Sequence, residues 1–149
     1  MERFFVSGKY LKFQKQSGEL YAKFIDEAAK PIGLTRQEAD VLVFFANNSE
    51  YTSAIDAVKV RGFSKAYVSK AVLTLVEKGM ITIEQDKNDR RIQHVQLTEA
   101  AKKVIGKLQK AQFRFSKLMG EGLSEEDKKT MLRVLEKLAD NVDRACNSD

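Results

Sequence analysis

From Ser7 to Lys30, Phe13, Ser17, Leu20, Phe24 and Ala28 recur at steps of three and four, with Tyr10, Leu11, Tyr21 and Ile25 beside them. That spacing gathers one apolar face and predicts an amphipathic helix, which Pro31 and Gly33 end. Thr35-Arg36-Gln37-Glu38 has the spacing of a capping box, in which hydroxyl and carboxylate each satisfy the other's unpaired amide. The helix it opens carries Val41, Leu42, Phe44 and Phe45 and stops at Asn47-Asn48. Thr52 or Ser53 caps a short helix with Ile55 and Val58, closed by Gly62. Ser64 caps the next, with Val68, Ala71, Val72, Leu75 and Val76 inward and Lys65, Ala66, Ser69, Lys70 and Thr74 outward, up to Gly79.

Met80 to Gln85 and Ile92 to Leu97 are short and β-branched, and predict two strands. Thr98 opens a long helix with Val104, Leu108, Ala111, Phe115 and Leu118, spaced like a coiled-coil seam. Gly120 and Gly122 break it. Ser124-Glu125-Glu126-Asp127 then caps a last helix bearing Met131, Val134, Leu135, Leu138 and Val142.

Helix, strand, charged turn, strand, helix is the order of a winged helix-turn-helix. The expected fold is mainly α with a small β-hairpin wing. Three parts follow: an N-terminal helix (residues 1–33), a winged helix-turn-helix (34–98) and C-terminal helices (99–149). The terminal helices have apolar faces too broad for so small a central domain to cover. Either they pack on one another within the chain or a second copy covers them; a homodimer is the expectation.

Charge adds a direction. The 149 residues carry a net +5 with 32% charged. Residues 61–91 hold seven Lys or Arg against four Asp or Glu, residues 98–120 six against one, and residues 121–149 five against eight. A basic middle favours a polyanionic partner. One cysteine, Cys146, and one histidine, His94, exclude a disulfide framework and most metal sites, so no cofactor and no metal is expected. No apolar run approaches the roughly 20 residues of a membrane span, and Lys9, Lys12 and Lys15 interrupt any secretory start. A cytoplasmic protein with no membrane association follows by elimination. No nucleophile with a base, metal-ligand cluster or glycine-rich phosphate loop is present, so no catalytic residue is assigned and an enzyme is not expected.

The candidate chemistry lies in the central part. A helix that reads a DNA groove needs small or polar residues near its start, so that its backbone approaches base edges. Ser64, Lys65, Ala66, Ser69 and Lys70 fit. Serine donates to or accepts from several bases, and lysine reaches guanine or phosphate. Tyr67 has three uses open: its ring on a thymine methyl, its hydroxyl on a phosphate, or packing beside the previous helix. In the turn Asp86-Lys87-Asn88-Asp89-Arg90-Arg91, the spacing lets Asp89 brace Arg91 for entry into a minor groove. Lys87 and Arg90 then sit near phosphates, and Asp86 is free to shape the turn.

Residues 34–102 resemble the MarR family of winged helix-turn-helix bacterial transcription regulators. The resemblance rests on Leu34-Thr35 with Glu38, Ser64 through Lys70, Leu75 through Ile81, Asp89-Arg90-Arg91, and Val95 through Glu99. It implies a two-fold dimer on a palindromic double-stranded DNA operator, acting as a repressor. It also implies a small aromatic effector, bound between the dimer helices and the DNA-binding lobe, that releases the DNA. Tyr10, Phe13, Phe24, Phe44 and Phe45 are the candidate lining, although aromatics at helical spacing also serve as core. Three departures from the pattern cover four positions. Ile83 and Glu84 stand where basic residues are frequent, Lys70 where arginine is, and Ala101 where glycine is. Ile83 and Glu84 favour the alternative of a protein-interaction module on the same scaffold. A redox-responsive regulator is a further alternative, but Cys146, with Asp143 near it, lacks surroundings that would activate a thiol.

Overall fold

The computed structural model describes residues 3–147. Its helices are α1 (Gly8–Ala29), α2 (Arg36–Asn47), α3 (Ala54–Arg61), α4 (Lys65–Glu77), α5 (Glu99–Met119) and α6 (Glu125–Cys146). A hairpin of β1 (Ile81–Gln85) and β2 (Gln93–Leu97) separates α4 from α5. The chain divides into two compact units, one running to Phe115 and one starting at Ser116. The first therefore holds α1 and most of α5 together with the winged part.

Serine or threonine begins nearly every helix. Thr35 and Glu38 form the reciprocal box before α2, Ser53 and Asp56 before α3, and Ser124 and Asp127 before α6. Ser7 caps α1 and Ser64 caps α4 through single bonds from amides three residues on. Each such cap stabilises its helix by about 1 kcal/mol. At the other end, α3 closes at Gly62 with φ 74°, a left-handed conformation that a side chain resists.

The core of the first unit is built on α2, where Ala39 and Val41 through Phe45 are all buried. Ile25 and Ala29 from α1, Val68, Ala71, Val72 and Leu75 from α4, and Ala101, Ile105, Leu108 and Ala111 from α5 complete it. Ile25, Leu42, Leu75, Ile81 and Leu108 are fully enclosed. Truncating any of them to alanine costs about 2–5 kcal/mol. The hairpin is antiparallel, with Ile81 opposite Leu97 and Ile83 opposite Val95. Ile81 and Val95 face the core, and Thr82, Glu84, His94 and Gln96 share the other face.

Three sequence expectations shift here. Ile55 is 56% exposed, and the buried residue of α3 is Ala57. A helix of two turns has room for little inward surface. Val76 is also exposed, since the helix ends one residue later. On α5 the buried line runs through Ala101, Ile105, Leu108 and Ala111, while Val104 is half-buried. The helix turns this face to α1 and α2 of its own chain: Gln112 Nε2 donates to Tyr21 Oη (2.8 Å), and Phe115 packs edge-on against Tyr21. In the second unit, α6 has no buried residue, and Met131, Leu132, Val134, Leu135 and Val142 are exposed.

Candidate nucleic-acid interface

Ser64 accepts from the Tyr67 amide at 3.1 Å and starts α4 with its first turn outward. Lys65, Ala66, Ser69 and Lys70 are all exposed on that turn and the next. Ser64 therefore acts as the cap, and its hydroxyl proton remains a donor. The amides of this turn point toward the helix start, where an anion is favoured.

Tyr67, in the same turn, is half-buried. Its hydroxyl donates to Asp40 Oδ2 on α2 at 2.9 Å, and its ring lies 5.0 Å from that of Phe63. Gln37 Nε2 also donates to the Tyr67 carbonyl at 2.8 Å. Of the three uses open for Tyr67, packing beside the earlier helix is the one this structure contains. Burial, the Asp40 charge and the bond to it hold the phenol well above its ordinary pKa. Asp40 in turn sits above the usual carboxylate range, because burial outweighs the Tyr67 bond and the Arg36 and Arg61 charges.

The wing turn is built by two aspartates. Asp86 Oδ1 accepts from the amides of Asn88 (2.8 Å) and Asp89 (2.9 Å). Asp89 then grips Arg91 with both oxygens: Arg91 Nε donates to Oδ1 (3.0 Å) and Nη2 to Oδ2 (2.9 Å), while the Arg91 amide also donates to Oδ1. The Arg91 side chain is 90% exposed. It is thus an outward cation held in one orientation by a two-point carboxylate contact. The Arg91 bond holds the Asp89 carboxyl below its ordinary range. Lys87 and Arg90 are exposed on the same turn.

Asp86 makes one more contact. Its Oδ2 lies 2.9 Å from His94 Nε2, and His94 Nδ1 lies 2.8 Å from Thr52 Oγ1, just before α3. The His94 bond and two backbone amides bring the Asp86 carboxyl down to about 2. An ionised carboxylate only accepts, so Nε2 carries a proton; in the neutral ring Nδ1 then accepts from the Thr52 hydroxyl. The backbone follows the same path, with the Val95 amide donating to the Thr52 carbonyl and a bridge joining Ser53 and His94.

A cleft of about 500 Å³ lies between the start of α4 and the wing. Lys65 and Ser69 line one side, Asp89 and Arg91 the other, over apolar Val58 and Ile92. The structure thus brings four of the sequence-derived residues to one opening. The five aromatic candidates lie outside this cleft. Phe44 and Phe45 are core, packed against each other. Phe24 packs against Phe115 beneath the Arg114 guanidinium. Tyr10 joins Phe4 and Phe5, and Phe13 is exposed. Among the described residues no cluster of metal-binding side chains occurs, and no helix is long and apolar enough to cross a membrane.

The family model described as MarR family matches residues 32–92, from the turn before α2 to the end of the wing turn. Over that segment the chain resembles the MarR family. Its similarity to an HTH-type transcriptional regulator of Bacillus subtilis, YdgJ, amounts to 28% identity over 116 residues, or 78% of this chain and 69% of that protein. A MarR protein from Peptoclostridium difficile has a similar fold, with TM-score 0.78 and 19% identity over 93% of this chain and 90% of that one. A MarR-family regulator from Listeria monocytogenes, solved with a 26mer DNA, gives TM-score 0.76 and 18% identity over 88% and 86%. These likenesses establish the winged fold.

In this central part of the chain, two elements escaped the sequence. His94 appears there only as a lone histidine, and its partners lie eight residues before it and 42 before it. Glu38 reads only as a cap. In the structure its Oε2 also accepts from Lys78 Nζ at 2.7 Å, tying α2 to the end of α4. Both links join residues of different elements, and no local spacing signals them.

Proposed function

We propose that this chain is a transcription regulator that binds double-stranded DNA as a homodimer, represses from a palindromic operator, and is released by a small aromatic effector. The braced, outward Arg91 beside the exposed first turns of α4 carries this reading. Lys65, Ala66, Ser69 and Lys70 meet base edges in a major groove, and Arg91 enters the adjacent minor groove, where negative potential is concentrated. Lys87 and Arg90 meet flanking phosphates. The Listeria relative in complex with DNA supports the same use of this fold.

The dimer is supported by apolar side chains that this chain leaves uncovered. They lie on α6 and around the start of α1, where Phe4, Phe5, Val6, Leu11 and Phe13 are exposed. Two copies then place two α4 helices in successive major grooves, about 34 Å apart. An effector that prefers another spacing of the two lobes releases DNA by population shift.

Selection of bound sites from a random duplex pool tests the reading. A two-fold motif with half-sites about 10 base pairs apart, lost with Arg91→Ala, is expected. Binding without sequence enrichment that salt abolishes defeats it, because charge alone then explains the affinity.

A further inference from the structure

We propose that His94 is a positioning residue for Arg91: it anchors the wing turn to the start of α3 and thereby fixes where the arginine points. The inference rests on the DNA-binding reading for its consequence, but not for its geometry. Four links in series connect α3 to the exposed cation. Thr52 Oγ1 meets His94 Nδ1, and His94 Nε2 meets Asp86 Oδ2. Asp86 Oδ1 then holds the amides of Asn88 and Asp89, and Asp89 holds Arg91.

The imidazole is the only link in this series that joins two elements through side chains on both of its edges. A two-stranded hairpin alone is only marginally stable, and its far turn gains little from the core. Asp86 orders the turn locally, but a turn ordered about its own backbone is still free to swing with the hairpin. The backbone bond from Val95 to Thr52 and the bridge at Ser53 hold β2, and the His94 ring extends that hold to the turn by linking Asp86 to Thr52, whose amide and that of Ser53 both donate to the Asp56 carboxylate inside α3. The ring is half-buried, and its bond to Asp86 is part-buried while its bond to Thr52 is exposed. A bidentate arginine that is already aimed loses less freedom on entering a groove, so the anchoring acts on DNA affinity through Arg91.

His94→Val suits a strand and removes both bonds; His94→Gln restores a donor toward Asp86. Hydrogen exchange of the free protein reads the anchor without DNA. The Asn88 and Asp89 amides are expected to exchange about tenfold faster in His94→Val than in the unsubstituted protein, with partial recovery in His94→Gln. The second arm measures Arg91→Ala on a labelled duplex recovered from the selection. In the unsubstituted background it is expected to weaken binding about tenfold, and in the His94→Val background only about two- to threefold. Unchanged exchange at Asn88 and Asp89, or an Arg91→Ala effect of equal size in both backgrounds, overturns the proposal. If the chain binds no duplex, the DNA reading fails while the exchange arm still decides the anchor.

Discussion

The Tyr67 hydroxyl donates to the buried Asp40 carboxylate at 2.9 Å, so a residue in the first turn of α4 faces the core. This contact and the Gln37 bond to the Tyr67 carbonyl tie the start of α4 to α2. On α4, Lys65, Ala66, Ser69 and Lys70 are exposed, while Val68, Ala71, Val72 and Leu75 are buried. Tyr67→Phe keeps the ring and deletes the hydroxyl, leaving Asp40 short of one donor. The expected loss of stability is about 1–3 kcal/mol, read by denaturant unfolding. Affinity for a DNA duplex, measured where the variant is fully folded, is expected to be unchanged. A selective loss of DNA affinity with intact stability would return Tyr67 to the interface.

Glu38 performs two tasks that one substitution separates. Its carboxylate caps α2 through the Thr35 amide and pairs with Lys78, which also donates to the Gly33 carbonyl. Glu38→Gln keeps a capping side chain and removes the charge. The expected cost at pH 7 is about 1–2 kcal/mol, at the low end for a buried partner because the lysine is part-exposed. Burial raises the Glu38 carboxyl, but Lys78 and the hydrogen bonds to it together bring it below its ordinary value of 4.5. A lowered folded-state value means that the stabilisation is present above the unfolded-state value and lost as pH falls through the folded one. The difference between Glu38→Gln and the unsubstituted protein is therefore expected to shrink below about pH 4.5. A constant difference down to pH 3 would exclude the ion pair as its source.

Where the fold was legible, a polar cap and an apolar period stood within a few residues of each other. Thr35 with Glu38 and Ser124 with Asp127 are three apart, and each pair marks a helix start that the structure reproduces. Asp89 and Arg91 are two apart, and the brace between them follows from that spacing. The contacts that orient the site are of another kind. Tyr67 and Asp40 are 27 residues apart, and His94 and Thr52 are 42 apart. Each is an ordinary polar residue until the chain closes, and only the packing of α4 on α2 and of β2 on α3 brings them together. The placement of the aromatic set was illegible for a related reason. Helical spacing shows that residues share a face, but not whether that face meets another helix, as Phe44 and Phe45 do, or stays outward, as Phe13 does.

In the proposed DNA-binding reading, Asp89 aims the Arg91 cation and does not bind DNA itself. Asp89→Asn retains an acceptor for the Arg91 amide and loses the two-point charge contact. Removing a negative charge raises general attraction to phosphates, whereas an unaimed Arg91 lowers recognition of the operator. Discrimination between operator and random duplex is thus expected to fall roughly tenfold while affinity for random duplex rises slightly. Titration of both duplexes at one salt concentration gives the two quantities. Equal loss on both would mean that Asp89 acts through stability of the wing and not through the direction of Arg91.

Leu135 lies midway along a line of Met131, Leu135, Leu138 and Val142, spaced four, three and four along α6. Leu135 is 53% exposed in the single chain, although a solvated helix gains nothing from leucine at that place. A second copy that covers this line places Leu135 near its middle, where truncation or charge is least tolerated. Leu135→Glu puts a carboxylate into that contact without a partner. Sedimentation of the unsubstituted protein at micromolar concentration is expected to give a dimer, and that of Leu135→Glu a monomer with unchanged helix content. The monomer holds one half-site only, so its operator affinity is expected to drop at least a hundredfold, while its weak binding to a single half-site persists. A Leu135→Glu protein that remains dimeric and binds the operator as before would remove α6 from the dimer contact and leave the aromatic residues at the start of α1 as the surface to test.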